Sequence, residues 1–470
     1  MGRLASMPSR VMGTSEANWC RAVDGGTGVT VTGLLYAKPL EVGLAEAAII
    51  SLLAEQPLLR ATVEDRDGKP WFIINDSPSI SLEEIDRSSE AEGEEPLEEE
   101  DGESRKERWL KIVEEEMNKP FPKVKPFPVF QALLYRLPQK TSLLILRTHS
   151  GACDLASAAP ISSHIVQFLG EFAEAEKSGQ SVDQFLKSKE DASLASVVRL
   201  NLPSMESAVP PEMSKKPFWA HGVDMIGYGL VSRRHAYLPF DVTKAPWHSC
   251  VIRSRLTREA TEQLIQGCEK HSTNLFGALC AAGTKVVAAF KKVGNRGEHY
   301  GNAVLLNCRN MLEPVIPPSA VGFYHAAMLK TLHVAESVPF WELAKKSSEQ
   351  VEEAIKNKKH FKDMSDLNTL MVQAMNFPNV TPSGTMRTTL LSIYHDPIPQ
   401  SFADAASSNS NLTDWVTCSS VNGVGPCLAL YPFLTDGCLQ VNYVYCSPLF
   451  SHTQIQQIVD GIQELLTETA

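Results

Sequence analysis

The stretch that most constrains the fold is residues 141–172, with the sequence TSLLILRTHSGACDLASAAPISSHIVQFLGEF. Its apolar run, residues 143–146, is short enough for one buried strand and apolar enough for a central one. After a polar turn, Ser157 is placed to cap a helix and Pro160 is tolerable in its first turn. The helix would bury a face of apolar residues at helical spacing, namely Ile161, Ile165, Phe168, Leu169 and Phe172.

The turn between this strand and helix carries the polar residues of interest. Its members are His149, Ser150, Gly151, Ala152, Cys153 and Asp154. A histidine and an aspartate in a tight turn that leaves a buried strand occupy a place where binding and catalytic residues are common. The spacing fits equally well a polar loop that contains one structural histidine. The residues alone leave both interpretations open.

The stretch resembles the active-site segment of the acyl-CoA-dependent acyltransferase superfamily. That superfamily includes the condensation domains of peptide synthetases and alcohol acetyltransferase-like enzymes, and its HHxxxDG motif lies between a core strand and a helix. In this resemblance His149 is the first histidine, Ser150 replaces the second, Asp154 is the aspartate and Leu155 replaces the glycine. The family's second histidine is its general base and its aspartate is a structural anchor. The resemblance therefore implies a chain that keeps the anchor and lacks the usual base.

The missing base decides what can be expected of any activity. A positioned general base contributes ~10²–10⁴-fold to a rate, and a serine hydroxyl has no basicity near neutral pH. Three alternatives are open: a shifted turn that presents His149, a base from elsewhere in the chain, or an acceptor that needs little help. An amine acceptor fits the third alternative, because a fraction of it is already unprotonated and nucleophilic.

The resemblance continues in the second half of the chain. Residues 300–308 predict a buried strand that ends at Arg309, and the turn Gly322-Phe323-Tyr324 follows, as in the family. A buried carboxylate needs a partner, so Arg309 is predicted to pair with Asp154 across the two domains; the alternative is a surface arginine. The predicted catalytic residues are His149, Ser150 and Asp154, and the predicted substrate-binding residues are Gly151, Cys153 and Arg309.

The predicted elements alone indicate an α/β fold, and the resemblance implies two chloramphenicol-acetyltransferase-like lobes. Each lobe would be a mixed sheet with packed helices, and a channel would run between the lobes. The predicted N-terminal lobe is residues 1–200 and the C-terminal lobe is residues 218–470. The linker is placed at residues 201–217, where four prolines interrupt any periodicity.

Charge is concentrated in one segment of the chain. The formal net charge is -11, and residues 83–107 hold thirteen acidic and three basic residues, a balance of -10. This segment is predicted to be a flexible, solvated insert. The acidic balance argues against nucleic acid as a partner.

Other patterns limit the location and the cofactors. The ten cysteines form no CxxC pair and the histidines lack a recognised ligand spacing, so no metal site is predicted. The N-terminus has no secretory signal and no apolar run is long enough for a membrane span, which predicts a cytoplasmic protein. The first residues match an N-myristoylation pattern at Gly2, although a short pattern of this kind is often matched by chance. A monomer is expected.

Two functional hypotheses follow from the resemblance. The first is a condensation-type acyltransferase that moves an acyl group from CoA or a carrier pantetheine to a small-molecule amine or alcohol. Acyl-CoA would be a co-substrate, and no tightly bound cofactor is expected. The second is a catalytically silent binding protein of the same fold, which the missing base favours. A lyase or cyclase on this scaffold is a third alternative.

Overall fold

The computed structural model describes residues 9–89, 102–195, 202–400 and 411–469. Within these residues the helices are α1 (Thr14–Asp24), α2 (Val42–Glu55), α3 (Gly102–Asn118), α4 (Ala158–Lys177), α5 (Val182–Ala195), α6 (Met205–Ala208), α7 (Pro211–Ser214), α8 (Phe218–Ser232), α9 (Arg258–Lys270), α10 (Leu275–Phe290), α11 (Phe340–Lys356), α12 (Lys359–Lys362), α13 (Met364–Asn376) and α14 (His452–Glu468).

The strands of the same residues are β1 (Arg10–Val11), β2 (Thr27–Tyr36), β3 (Ala61–Arg66), β4 (Lys69–Ile74), β5 (Glu83–Asp86), β6 (Phe127–Pro128), β7 (Phe130–Leu137), β8 (Thr141–His149), β9 (His248–Arg255), β10 (Glu298–Asn307), β11 (His325–Val334), β12 (Arg387–Tyr394), β13 (Ile398–Gln400), β14 (Leu412–Val421), β15 (Gly425–Thr435) and β16 (Cys438–Ser447). They form three sheets, each of which belongs mainly to one half of the chain.

The N-terminal lobe is built on a five-stranded sheet with the order β14-β2-β8-β7-β5. The predicted strand, β8, lies in the middle of this sheet and is buried from residue 142 onward, so its central position is confirmed. Helix α4 follows it and buries all five residues of its predicted apolar face. A smaller sheet, β1-β4-β3-β6, completes the lobe.

The predicted helix cap is replaced by another residue. Ser157 precedes α4 as expected, but its side chain makes no capping hydrogen bond. The carboxylate of Asp154 instead accepts from the Ser157 amide at 3.0 Å and from the Ser157 hydroxyl at 2.8 Å. The aspartate of the turn therefore caps the short helical turn that leads into α4, and Ser157 is one of its donors.

The C-terminal lobe is built on a mixed sheet with the order β11-β10-β12-β15-β16-β9, to which β13 adds beside β15. Strands β10, β12 and β15 run parallel to one another, whereas β11 and β16, on either side of them, are antiparallel to their neighbours. The edge strand β9 is antiparallel to β16. The small, apolar helix α10 is buried along most of its length and packs with α11 and α14. Both lobes are thus mixed sheets with packed helices, as predicted.

One strand joins the two halves of the chain. β14 comes after most of the C-terminal lobe in sequence, yet it pairs antiparallel with β2 at the edge of the N-terminal sheet. The hydrophobic core of the N-terminal lobe accordingly includes Trp415, Val416 and Cys418 of β14. The range of residues predicted for the C-terminal lobe, 218–470, therefore includes one strand of the N-terminal sheet.

The two ends of the acidic segment form regular structure, where a loop was predicted. Residues 83–86 are the edge strand β5, parallel to β7, and α3 begins at Gly102. An edge strand tolerates charged side chains because one of its sides faces solvent. The middle of the segment, residues 90–101, lies outside the described residues.

The predicted linker packs against the C-terminal lobe. Its described part, residues 202–217, contains the short helices α6 and α7, and Met205, Ala208 and Val209 are buried in the C-terminal core. Among the described residues, no single helix has both the length and the composition needed to cross a bilayer. The pair α9 and α10 meets those two criteria jointly, but the two helices meet at 99°.

Candidate functional site

Backbone hydrogen bonds hold the turn after β8 in place. The amide of Ser150 donates to the carbonyl of Gly28 at 3.0 Å, and the amides of Ala152 and Cys153 donate to the carbonyl of His149 at 2.8 and 3.0 Å. The turn also reaches the other lobe, because the amide of Asp154 donates to the carbonyl of Gly322 at 3.0 Å. Its side chains therefore have fixed directions.

His149 points into the core, away from any solvent-filled space. Its side chain is fully buried, with ring centroids 5.2 Å from Phe121 and 5.5 Å from Phe127. Its Nδ1 accepts a hydrogen bond from the Gly151 amide at 3.0 Å. Burial lowers the pKa of His149 to about 3, so the ring is neutral at neutral pH. His149 is not among the residues that line the cavity, so the turn does not present it as a base.

Asp154 and Arg309 form the predicted ion pair across the lobes. The two guanidinium nitrogens lie 2.8 and 2.9 Å from the two carboxylate oxygens, and both side chains are buried. Burial alone would raise the pKa of Asp154, but the Arg309 guanidinium outweighs it and holds the pKa below its usual range. The Tyr324 amide donates to the same carboxylate at 2.9 Å. Asp154 is therefore a charged anchor between the lobes.

Ser150, which was predicted to replace the family's general base, faces a cavity between the lobes. The cavity has about 1320 Å³ of empty space, counting the part open to solvent. Gly28 makes room for Ser150: it has a φ of +97°, and a Cβ built on it would lie 2.9 Å from the Ser150 Cβ. A larger residue at Gly28 would displace Ser150 from the cavity wall.

The Ser150 hydroxyl belongs to a row of hydroxyl groups. Its Oγ lies 3.3 Å from the Thr30 Oγ1, which is hydrogen-bonded in turn to the Ser419 Oγ. Ser419 and Ser420 of β14 also line the cavity. The wall on this side thus offers hydroxyl donors and acceptors, and it has no group of useful basicity.

The rest of the cavity wall is largely apolar. Side chains from both lobes contribute to it, among them Trp19, Leu305, Phe323, Leu367, Met371 and Val424. Trp19 belongs to α1, while the others come from the C-terminal half of the chain. The cavity is therefore the predicted channel region between the lobes, and it suits a ligand with a sizeable apolar part.

His325 lines the same cavity as Ser150. It is the first residue of β11, and its ring centroid lies 4.6 Å from Phe323 and 5.8 Å from Trp19. Within the described residues its Nδ1 has no hydrogen-bond partner. Burial lowers the pKa of His325 to about 4, so the imidazole is neutral at neutral pH. It is the only histidine among the described residues that line the cavity.

Comparison with known proteins supports the fold. No protein-family model and no curated protein sequence matches the chain. The EpoB NRPS cyclization-docking bidomain from Sorangium cellulosum superposes with a TM-score of 0.68, covering 99% of this chain and 85% of that one at 16% identity. The chain has the fold of the condensation domains. The resemblance found in the sequence is thus confirmed at the level of the fold.

Two further solved structures share this condensation-domain fold. The first condensation domain of the calcium-dependent antibiotic synthetase has a TM-score of 0.61 and 16% identity, covering 98% of this chain and 96% of that one. The TRI3 trichothecene 15-O-acetyltransferase from Fusarium sporotrichioides has a TM-score of 0.66 and 11% identity, covering 98% and 95%. At such identities the likeness concerns the fold alone.

The predicted site residues separate into two groups in this fold. Ser150 and Asp154 line the cavity, whereas Gly151 and Cys153 of the same turn do not. A Cβ on Gly151 would lie 2.7 Å from the Cys20 Sγ, so this glycine is required by close packing. Cys153 is fully buried, and burial raises the pKa of its thiol. Gly151 and Cys153 are not among the residues that line the cavity, and the Arg309 guanidinium is engaged with Asp154.

The one signal for His325 in the sequence was its position after Gly322-Phe323-Tyr324. The Gly322 carbonyl accepts from Asp154, so this turn lies directly beside the motif turn. A histidine three residues after Gly322 consequently enters the cavity. Metal-ligand spacings along the sequence do not identify His325, because the contact between its turn and the motif turn is made across the lobes.

Proposed function

We propose that the protein is a condensation-type acyltransferase that moves an acyl group from a CoA or pantetheine thioester to a small-molecule acceptor. The observation that carries the proposal is the intact frame of the site. The turn is anchored by Asp154 and Arg309, and Ser150 and a neutral His325 face one cavity between the lobes. The apolar wall favours an acyl group or acceptor with a large apolar part.

In this proposal His325 replaces the family's missing base. A neutral imidazole accepts a proton, but a group with a pKa of about 4 is a weak base. Such a base suits an amine acceptor better than an alcohol. The amine attacks the thioester carbonyl with its own lone pair and becomes acidic only after the C–N bond has formed. His325 then takes the proton, the C–S bond breaks, and the proton passes to the thiolate, giving an amide and a free thiol.

Ser150 has a supporting role in this mechanism. Its hydroxyl can donate a hydrogen bond to the acceptor or to the thioester oxygen, while Thr30 fixes its orientation from behind. Asp154 does not take part in proton transfer, because its carboxylate oxygens are held by Arg309 and by backbone and hydroxyl donors. It keeps the turn and the opposite lobe at a fixed separation.

The second candidate function is a catalytically silent protein that binds an apolar thioester or metabolite in the same cavity. Two observations favour it: a serine at the position of the base, and a histidine beside it that is turned into the core. In that case the cavity would bind its ligand equally well with or without the imidazole of His325.

The test is thiol release and acylated product from a panel of short, aromatic and long acyl-CoAs with amines and alcohols. The proteins are wild type, H325A, S150H and, as a matched control, H248A at an exposed histidine. The transferase proposal expects turnover by wild type and H248A, and a loss of roughly 10²-fold or more in H325A. Turnover that H325A leaves unchanged would rule out His325 as the base. Silence in wild type with turnover in S150H would establish the binding protein.

A further inference from the structure

Helix α8 exposes an apolar face to solvent. Trp219, Val223, Ile226 and Leu230 follow one another at intervals of four, three and four residues, which places them on one side of the helix. Their exposed fractions are 71, 60, 66 and 57%. Helices on the surface of a globular protein normally turn such a face toward the core. We call these four residues the α8 stripe.

Polar contacts fix the orientation of the helix, so the stripe cannot simply turn inward. On the inner side of α8, the His221 Nδ1 lies 2.7 Å from the Asp366 Oδ1, and the Tyr228 hydroxyl donates to Asp363. The Lys216 ammonium, just before the helix, lies 2.8 Å from Asp363 and 2.6 Å from Asp224. Because the polar side of α8 is bound to the protein, its apolar side faces solvent.

The carboxylates beneath the helix do not form a metal site. Asp224, Asp363 and Asp366 approach one another closely enough to share an ion. The Lys216 ammonium already lies among them, at 2.5 to 2.8 Å from each carboxylate. The ammonium group thus lies where a shared ion would have to lie, and the cluster attaches α8 to α13.

Cations flank the α8 stripe at both ends. Lys215 precedes the helix, and Arg233 and Arg234 follow it; all three are exposed. The one acidic residue within the helix, Asp224, is bound by Lys216. Exposed cations thus lie at both ends of the stripe, although the chain as a whole is acidic.

We propose that the α8 stripe binds the surface of a phospholipid bilayer that contains anionic lipids. An apolar face with a tryptophan, together with basic residues at the level of the headgroups, is the pattern of helices that lie in a membrane interface. The four apolar side chains enter the boundary between headgroups and acyl chains. Lys215, Arg233 and Arg234 contact the anionic headgroups.

A second copy of the chain is a weaker explanation for the same face. The helix has 15 residues, so the stripe is about 22 Å long and one helix wide, roughly 200 Å². A stable protein interface covers roughly 800 Å² on each partner. A bilayer has no such minimum, because it adapts to a small insertion and adds electrostatic attraction.

Helix α1, near the N-terminus of the described chain, and helix α8 both contact α13. On α13, Asn368 donates to the Ser15 hydroxyl of α1 at 2.7 Å, and two residues earlier Asp366 holds His221 of α8. The first eight residues lie outside the described residues, and they carry the N-myristoylation pattern at Gly2. A single acyl chain binds membranes only marginally and needs a second signal. The α8 stripe would be such a second signal.

The test is flotation of the full chain, expressed without lipid modification, with two kinds of vesicle. One contains phosphatidylcholine alone and the other adds phosphatidylserine at about one third. The variants are V223S/I226S in the stripe, R233Q/R234Q beside it, and V124S/V315S as the matched control at two equally exposed positions elsewhere. Because all these positions are exposed, unchanged circular dichroism and unfolding midpoints are expected for every variant.

Wild type and V124S/V315S are expected to float with the anionic vesicles. The partition coefficient of V223S/I226S onto these vesicles should be lower by roughly tenfold or more. R233Q/R234Q should lose most of the preference for anionic over neutral vesicles, and added salt should do the same in wild type. The proposal is overturned if wild type does not bind either vesicle, or if V223S/I226S binds as well as V124S/V315S. It is equally overturned if the stripe variant only abolishes a dimer, because the occupant is then a second copy.

Discussion

At the scale of single residues, Asp154 connects the motif turn with the opposite lobe. We expect D154N to destabilise the protein by about 3–5 kcal/mol, because it leaves the Arg309 guanidinium buried without a counter-charge. Chemical denaturation followed by circular dichroism measures the change. The matched control is D414N. Asp414 forms a partly exposed ion pair, in which its carboxylate oxygen lies 2.8 Å from the Arg253 guanidinium. It should cost about 1 kcal/mol or less. Equal losses in the two variants would contradict the account of a buried anchor.

Acid should weaken the fold through its buried histidines. Burial lowers the pKa of His149 to about 3, and the pKa values of His325 and His360 to about 4. The unfolded chain binds protons at these residues from about pH 6.5 downward, before the folded protein does. The free energy of unfolding is therefore expected to be fully present above pH 6.5 and to fall as the pH drops toward 4.

The contribution of His149 can be separated from the rest. In H149N the side-chain oxygen can still accept from the Gly151 amide, but the residue no longer titrates. The variant should show a shallower loss of unfolding free energy between pH 6.5 and 4, whatever its stability at neutral pH. H248A, at an exposed position, should keep the wild-type slope. An unchanged slope in H149N would show that His149 is not neutral in the folded state.

At the scale of elements, the motif turn and helix α2 contain glycines with opposite requirements. A Cβ on Gly151 would lie 2.7 Å from the Cys20 Sγ and 3.0 Å from the Glu16 carbonyl oxygen, whereas a Cβ on Gly43 meets nothing within 4 Å. G151A should therefore cost about 1–3 kcal/mol by overpacking. G43A, within α2, should instead gain about 0.4–1 kcal/mol. Thermal unfolding of both variants tests the pair, and a neutral G151A would contradict the tight packing of the turn.

The elements that the sequence predicted correctly are those with local signals. β8 was recognisable from its apolar run and α4 from the period of Ile161 to Phe172. The pairing of Asp154 with Arg309 was predictable as well, because a buried carboxylate requires a cation.

The features that were missed depend on long-range contacts or on a departure from the usual pattern. Strand β14 pairs with β2 although the two are far apart in sequence: Thr32 and Thr417, whose hydroxyls are hydrogen-bonded, are 385 residues apart. A local sequence pattern cannot reveal such a pairing. His325 reaches the cavity only because its turn touches Asp154 across the lobes. Helix α8 exposes its apolar face to solvent. A prediction that assigns apolar residues to the core therefore gives the wrong orientation for this helix.

At the scale of the whole molecule, β14 makes the two lobes interdependent. It enters the N-terminal sheet at Val416 and Cys418, which are fully buried, and both of its connections lead to strands of the C-terminal sheet. Asn442 of β16 donates to the Thr417 carbonyl at 2.8 Å, which links β14 to the second sheet directly. Unfolding either lobe would therefore expose the apolar surface of the other.

We expect the two lobes to unfold together, and hydrogen exchange with mass spectrometry can measure this. The slowest-exchanging amides of β8 and of β10, one in each sheet, should report the same free energy of opening if the lobes form a single cooperative unit. V416A, which creates a small cavity under β14, should lower both values by the same roughly 2 kcal/mol. L264A in α9, deep in the C-terminal core, is the matched control, and it should also lower both values together. If V416A weakened β8 alone and L264A weakened β10 alone, the lobes would be independent, and β14 would be an added edge strand with no role in coupling them.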